Sequence, residues 1–531
     1  MKRNIIYILV IVTVLFSSCS NDFFETSPAT QITTQEVYSS VDNIDAVLNS
    51  AIKYLLESST SQDNPGLPAI FLTHEVMGED AIARDGRYGY RDSYPYRDPF
   101  DNTTRRCLFF WTLQYTSIDH ANNVIANVDE ANGTKFKYLK GQAYALRAFN
   151  YLNLVRQYQF TYVKDATAIA VPIYTEPTTP GTVPQGISTV QEVYDQVISD
   201  LKEAERLLPG FQRTEKNRPD INVVYGLLAR AYLTQEKWQL AADYAAKARI
   251  GYPIMTPQQY TEGFSDVANP EWIWGHPQTR TQNKGGSSFL AYIETTPYTV
   301  NAQGVNIYYG YNSIVPDPHF VELFEPNDIR RSLFKIATQP SEALYALYTY
   351  GKFKNKYPDH DGHIILMRSS EHLLIEAESK ARLHDVESAV NLLNELRVKR
   401  NLSELSASAY NESQIINEIL LERRKELWGE GFRLYDILRL QIAPVRIETD
   451  ETFINDDGKT ATVKGHWITK FPDGSDLSPN SPYYLFPIPI NEINNNPNLN
   501  KNTRSAFRVK VKLNKSIFCM ASNRFLLYLF T

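Results

Sequence analysis

Two short segments concentrate aromatic rings among hydrogen-bonding side chains. Residues 87–98, RYGYRDSYPYRD, set Tyr88, Tyr90, Tyr94 and Tyr96 among Arg87, Arg91, Asp92 and Arg97. Residues 306–312, NIYYGYN, set Tyr308, Tyr309 and Tyr311 beside Asn306 and Asn312. A flat ring rimmed by guanidinium, carboxylate and amide groups suits a ligand with an apolar face and a hydroxylated edge. Aromatic side chains also bury much area at little rotamer cost, as a shallow site requires. The candidate ligand-binding residues are therefore Tyr88, Tyr90, Tyr94, Tyr96, Arg87 and Arg91 in the first segment, with Tyr308, Tyr309, Tyr311 and Asn312 in the second.

Bond-making chemistry finds less support. The chain has no His-Glu-x-x-His, Gly-x-Ser-x-Gly, phosphate-binding glycine loop or paired Cys-x-x-Cys. The two carboxylates of a glycoside hydrolase are paired in space rather than in sequence, so that class stays open as an alternative. Asp359, His360, Asp361 and His363 gather metal-ligating types in a Pro- and Gly-flanked turn; they read as turn, and no metal or cofactor is expected. Glu422, Arg423, Arg424, Glu426, Arg433 and Asp436 have the spacing of ion pairs within and between helices, a structural cluster rather than a catalytic one. Trp111, Trp272 and Trp274 sit in helix-like and strand-like contexts and read as structural. A net charge of −6 without a basic stripe gives no footprint for nucleic acid.

The start of the chain bears on its location. Lys2 and Arg3 precede an apolar run from Ile5 to Phe16, then Ser17, Ser18 and Cys19. Twelve apolar residues span about 18 Å as helix, too short for a bilayer core of about 30 Å, so residues 1–18 read as a secretion signal. Cys19 stands where bacterial lipoproteins carry their acylated cysteine, with Phe16 in place of the usual Leu. Several acyl chains on Cys19 would hold the chain stably on a membrane. Only Cys107 and Cys519 remain, so at most one disulfide forms and the fold relies on its apolar core.

The elements that must position the tyrosines are mostly helical. Leu139, Ala143, Leu146, Phe149 and Leu152 share a face of a helix predicted over about 136–158. Ser188 and Gln191 fit a capping box ahead of Val193, Val197, Leu201, Ala204 and Leu208. Ala229, Tyr232, Ala241, Ala245 and Ala248 fall at tetratricopeptide offsets, repeated from Ala377 through Ala389, Leu393 and Leu396. Asp385 is placed to cap the second helix of that later pair. A last pair is expected over about 413–428 and 432–440, broken at Gly429. Residues 62–104 and 252–367 lack helical periodicity and are too aromatic for disorder, so they read as a packed irregular region.

Several segments resemble the SusD/RagB family: SNDFFETSP after Cys19, GQAYALRAFNYLNLVRQY (141–158), STVQEVYDQVISDLKEAERLLP (188–209), LERRKELWGEGFRLYDILRL (421–440) and YYLFPIPINEINNNPNLN (483–500). The resemblance covers about residues 19–502 as one domain, with the helical scaffold at about 119–250 and 369–440. Residues 503–531, basic and then apolar, are an atypical extension. It implies a mostly α fold of tetratricopeptide-like pairs with a large irregular ligand-binding region and a few short strands. It also implies a non-catalytic, lipid-anchored, surface-exposed outer-membrane protein that captures glycan for a SusC-like TonB-dependent barrel. Family members carry a ligand-contacting loop where Gly78-Glu79-Asp80 leads into the first tyrosine segment. A helical-repeat scaffold that binds protein is the other reading such an array allows.

Overall fold

The computed structural model describes residues 34–57, 59–278, 285–294, 299–300, 306–307, 310–337, 347–354, 362–448, 451–454 and 460–499. Cys19, Tyr308, Tyr309, Asp359, His360, Asp361, Cys519 and the whole 503–531 extension lie outside them.

Helices form the frame: α1 (Val41–Glu57), α2 (Pro68–Val76), α3 (Arg105–Asn127), α4 (Thr134–Tyr158), α5 (Val190–Leu207), α6 (Ile221–Thr234), α7 (Trp238–Ala248), α8 (Ser369–Arg382), α9 (Val386–Lys399), α10 (Glu412–Leu427) and α11 (Arg433–Leu440). α3 packs on α1, and each helix from α4 to α9 packs on the one before it, as in a solenoid. The chain leaves this stack after α7 and rejoins it at α8, which packs directly on α7. The small residues explain the close approach. Ala229, Ala241, Ala245 and Ala248, and later Ala377 and Ala389, are fully buried where the pairs interlock.

The ends of these helices follow local chemistry. Asp385 accepts a hydrogen bond from the Ser388 backbone N–H at 3.2 Å and caps α9. α5 begins one residue later than its expected Ser188–Gln191 box. Thr189 and Glu192 form the reciprocal pair instead, because Ile187–Thr189 is held extended as a strand against Ile169–Pro172. Between α10 and α11, Gly429 and Gly431 take φ of +82°. A Cβ on Gly431 would stand 2.7 Å from the Phe71 backbone, so only glycine fits the turn there.

The non-helical stretches share a second core of their own. β1 (Ala81–Ala83) pairs antiparallel with β3 (Ile314–Pro316), and β2 (Trp272–His276) with β4 (Ile364–Arg368). Tyr90, Tyr94, Tyr260, Phe264, Trp272, Tyr292, Phe320, Phe353 and Trp428 pack together there. Trp111 and Trp274 belong to the larger helical core.

A buried ion network joins the second core to the helices. Glu426 of α10 receives three guanidiniums: Arg400 at 2.6 Å, Arg368 at 2.7 Å and Arg330 at 2.9 Å. Arg368 also reaches Glu271 and Glu430, Arg330 reaches Asp328 and Glu422, and Lys352 reaches Glu430. These side chains are between 0 and 4% exposed. Nearby, Arg423 and Arg439 hold Asp436, each at 2.7 Å.

This network makes acid the natural denaturant. Burial raises the Glu422 and Asp436 carboxyls, but the guanidiniums beside them override it and hold each down to about 2, from 4.5 and 3.8. Both bind protons more weakly folded than unfolded, so their stabilisation is full above the unfolded values and disappears as pH falls toward 2. The urea midpoint is therefore expected to drop steeply between about pH 5 and about pH 3; a constant midpoint over that range contradicts the assignment.

Candidate functional site

The two tyrosine segments meet at the surface of the second core. After β1 the chain loops through residues 84–97, and this loop is tied to the residues just before β3. Arg84 donates from its backbone to the Ser313 carbonyl and from its guanidinium to that of Asn312. The Ser313 hydroxyl donates to the Tyr88 carbonyl at 2.6 Å. These bonds bring the Tyr88 ring to 5.0 Å from Tyr311.

Beneath them the rings continue inward as a ladder. Tyr311 stacks on Tyr292 at 5.1 Å, and Tyr292 meets Tyr90 edge-on at 5.2 Å. Arg106 lies 4.6 Å over Tyr90, itself fixed by Asp63 at 3.0 Å and Asp98 at 2.9 Å. Burial decreases outward along this series. Tyr90 and Tyr292 are buried, Tyr311 is half-buried and Tyr88 is 42% exposed. The outer ring is thus free to take a ligand while three rings and a guanidinium hold it in place.

The rim supplies polar groups. Tyr311 donates its hydroxyl to the exposed Gln62 side chain. Arg105 is exposed at the head of α3, and Arg91 pairs with Asp85 at 3.6 Å, both in solvent. Partial burial and then the Asp63 carboxylate raise the Tyr88 phenol above its ordinary value, so it stays a hydrogen-bond donor at neutral pH.

Residues 22–233 match the family model described as "Starch-binding associating with outer membrane", and residues 346–504 match that of the SusD family. The fold superimposes on a SusD-like carbohydrate binding protein from Bacteroides vulgatus with a TM-score of 0.78 and 37% identity, covering 87% of this chain and 98% of that one. The chain belongs to the SusD family. A SusD superfamily protein from Bacteroides thetaiotaomicron, 23% identical, shares the fold at a TM-score of 0.70 over 86% of this chain and 98% of its own. SusD-like protein P38 of Formosa agariphila is 25% identical over 382 residues, 62% of this chain and 71% of that protein. Among the described residues no helix is long and apolar enough to cross a membrane.

Within this SusD-family fold several tyrosines of the first segment are not at the surface. Tyr90, Tyr94 and Tyr96 are essentially inaccessible. The backbone turns left-handed at Gly89, Tyr90 and Tyr96, so the loop coils back on the second core instead of running along it. Tyr94 stacks on His466 and donates its hydroxyl to Nδ1 at 2.7 Å. Burial holds that imidazole neutral, down to about 3, and its Nε2–H donates to the Glu79 carbonyl. Tyr96 donates to the Met77 carbonyl at 2.7 Å, and Arg446 lies over both rings. Asn312 is also interior, at φ 50°, where its backbone anchors Arg84. Arg87 is half-buried, Arg91 is exposed, and Tyr88 and Tyr311 remain as accessible aromatic candidates.

One exposed aromatic escaped the sequence reading. Trp467 is 38% exposed, donates its indole N–H to the Ala83 carbonyl at 2.8 Å and packs 5.2 Å from Tyr94. It stands at the end of β1, where the Tyr88 loop begins. Its only sequence signal is a tryptophan in a segment without helical period. Glu79 and Asp80, just before β1, are held by Arg433 and Arg424.

Proposed function

We propose that this chain captures oligosaccharide at the outer membrane, on an aromatic ledge formed by Tyr88, Tyr311 and Trp467, without making or breaking bonds. The observation that carries this reading is the tyrosine ladder, rigid within and open at Tyr88. A saccharide ring lays its C–H face on such a ring while Gln62, Arg91 and Arg105 bond its hydroxyls. The SusD-family membership supports a lipid on Cys19 as the anchor and a SusC-like TonB-dependent barrel as the recipient. The carboxylates flanking the ledge support binding over hydrolysis. Asp63, Glu79 and Asp80 each pair with an arginine; burial raises the Asp80 carboxyl, but Arg424 and Arg433 outweigh it and hold the group below its ordinary value, which leaves it no proton to donate.

The protein-binding alternative requires an open inner face on the helical array. α11 lies across α4, α8 and α10 of that array instead. Arg439 of α11 binds Glu378 of α8, Asp436 binds Arg423 of α10, and Tyr435 lies under Arg156 of α4 at 3.9 Å. The test is a glycan array on the chain freed of its anchor, with an assay for reducing ends on each ligand retained. Retention of at least one glycan class without cleavage is expected. Binding to none, or release of reducing ends, overturns the proposal.

A further inference from the structure

A second site lies inside the helical array, where α11 crosses it. A pocket of about 30 Å³ is lined there by residues of α4 and the turn after it, α5, α6, α8, α10 and α11. Four guanidiniums line it: Arg156, Arg230, Arg423 and Arg439. Three of them have carboxylate partners. Arg230 binds Glu371 through Nε and Nη2, both at 2.7 Å. Arg423 binds Asp436 through Nε, and Arg439 binds Glu378 and Asp436.

Arg156 is different. It donates to the Leu152 carbonyl at 3.0 Å and the Asn153 side chain at 2.8 Å, and it lies over the Tyr435 ring. No carboxylate is within ion-pair distance of it among the described residues. The lining therefore carries one positive charge more than its paired carboxylates neutralise. Two donors at the same cavity are also unmet. Arg423, only 4% exposed, leaves Nη1 without a hydrogen-bond partner, and Thr161 Oγ1 is buried without one. Arg230 and Arg423 flank Phe432, each 5.2 Å from its ring, so the guanidiniums converge and cannot swing to solvent independently.

We propose that this cavity binds one halide-sized monovalent anion, held by Arg156, Arg423 and Thr161. Size and charge together select it. A volume of about 30 Å³ is close to one water's share of the liquid, which favours a small ion over a larger anion. A water satisfies the donors but leaves the charge of the half-buried Arg156 without a counter-ion. Bound there, the anion links α4 and the turn after it to α10, and so braces α11, whose Asp436 is held by Arg423 and whose Tyr435 lies under Arg156.

Bromide tests the site directly. In crystals soaked in sodium bromide, an anomalous peak is expected within hydrogen-bond reach of Arg423 Nη1 and Thr161 Oγ1. In solution, the melting temperature of the full chain is expected to rise by roughly 2 °C, saturably, in bromide or chloride relative to gluconate at equal ionic strength. Arg156→Met is expected to abolish this dependence. Thr161→Val, which keeps every charge, is expected to raise the half-saturating concentration and serves if Arg156→Met fails to fold. Water alone in the cavity, or equal melting in halide and gluconate, overturns the proposal. A bromide peak without a saturable shift marks an adventitious ion and overturns it as well.

Discussion

Glu426→Gln is expected to destabilise the chain by about 3–5 kcal/mol, more than any other single isosteric change in the network. The substitution keeps the shape but removes the one negative charge shared by Arg330, Arg368 and Arg400. Those guanidiniums are completely buried, and Glu426 is the group that places all three together. Burial raises the Glu426 carboxyl, yet Arg400 and Arg368 outweigh it and hold the group well below its ordinary value. Removing one partner from a buried cluster leaves uncompensated charge, which is where the large loss arises. The expected readout is a fall in the urea midpoint at unchanged slope, insensitive to added salt because the cluster is dry. A loss below about 1 kcal/mol would show that the network is dispensable.

The second large effect concerns affinity. Replacing Tyr88 and Tyr311 together by Ala removes the outer two rings of the ladder and is expected to weaken oligosaccharide binding roughly 30-fold or more. Most of that change should appear as faster dissociation, since the remaining polar rim still meets the ligand. Tyr94→Phe is the matched control. It deletes a hydroxyl bonded to buried His466 and leaves the surface unchanged, so affinity should stay within about twofold. Titration calorimetry on both variants, with melting curves to confirm folding, separates the two. Equal affinity in wild type and the folded double variant would remove the ledge from the site.

The scaffold was readable in the sequence because its signals are local. The alanines of α6 and α7 repeat at fixed offsets, Asp385 stands one residue before α9, and the arginine–carboxylate cluster of α10 and α11 carries ion-pair spacing. The site was readable only in part. Four tyrosines at residues 88–96 look equivalent in sequence, but the left-handed turns at Tyr90 and Tyr96 send three of them inward. Nothing in the residue types marks that choice, since an aromatic ring serves equally as core and as platform. Trp467 gave no sign either, because its place beside β1 depends on a hydrogen bond to Ala83, 384 positions away. The partners of Glu426 come from three well-separated segments, so only Glu422, Arg423 and its nearer neighbours suggested the network.

The most direct measurement is a crystal structure of the chain with an oligosaccharide selected by the glycan array. The account predicts a sugar ring lying flat on Tyr88, within about 4 Å of the aromatic face, with hydroxyls on the Gln62 and Arg105 rim. An oligosaccharide seated elsewhere, with Tyr88 and Trp467 both bare, would contradict it.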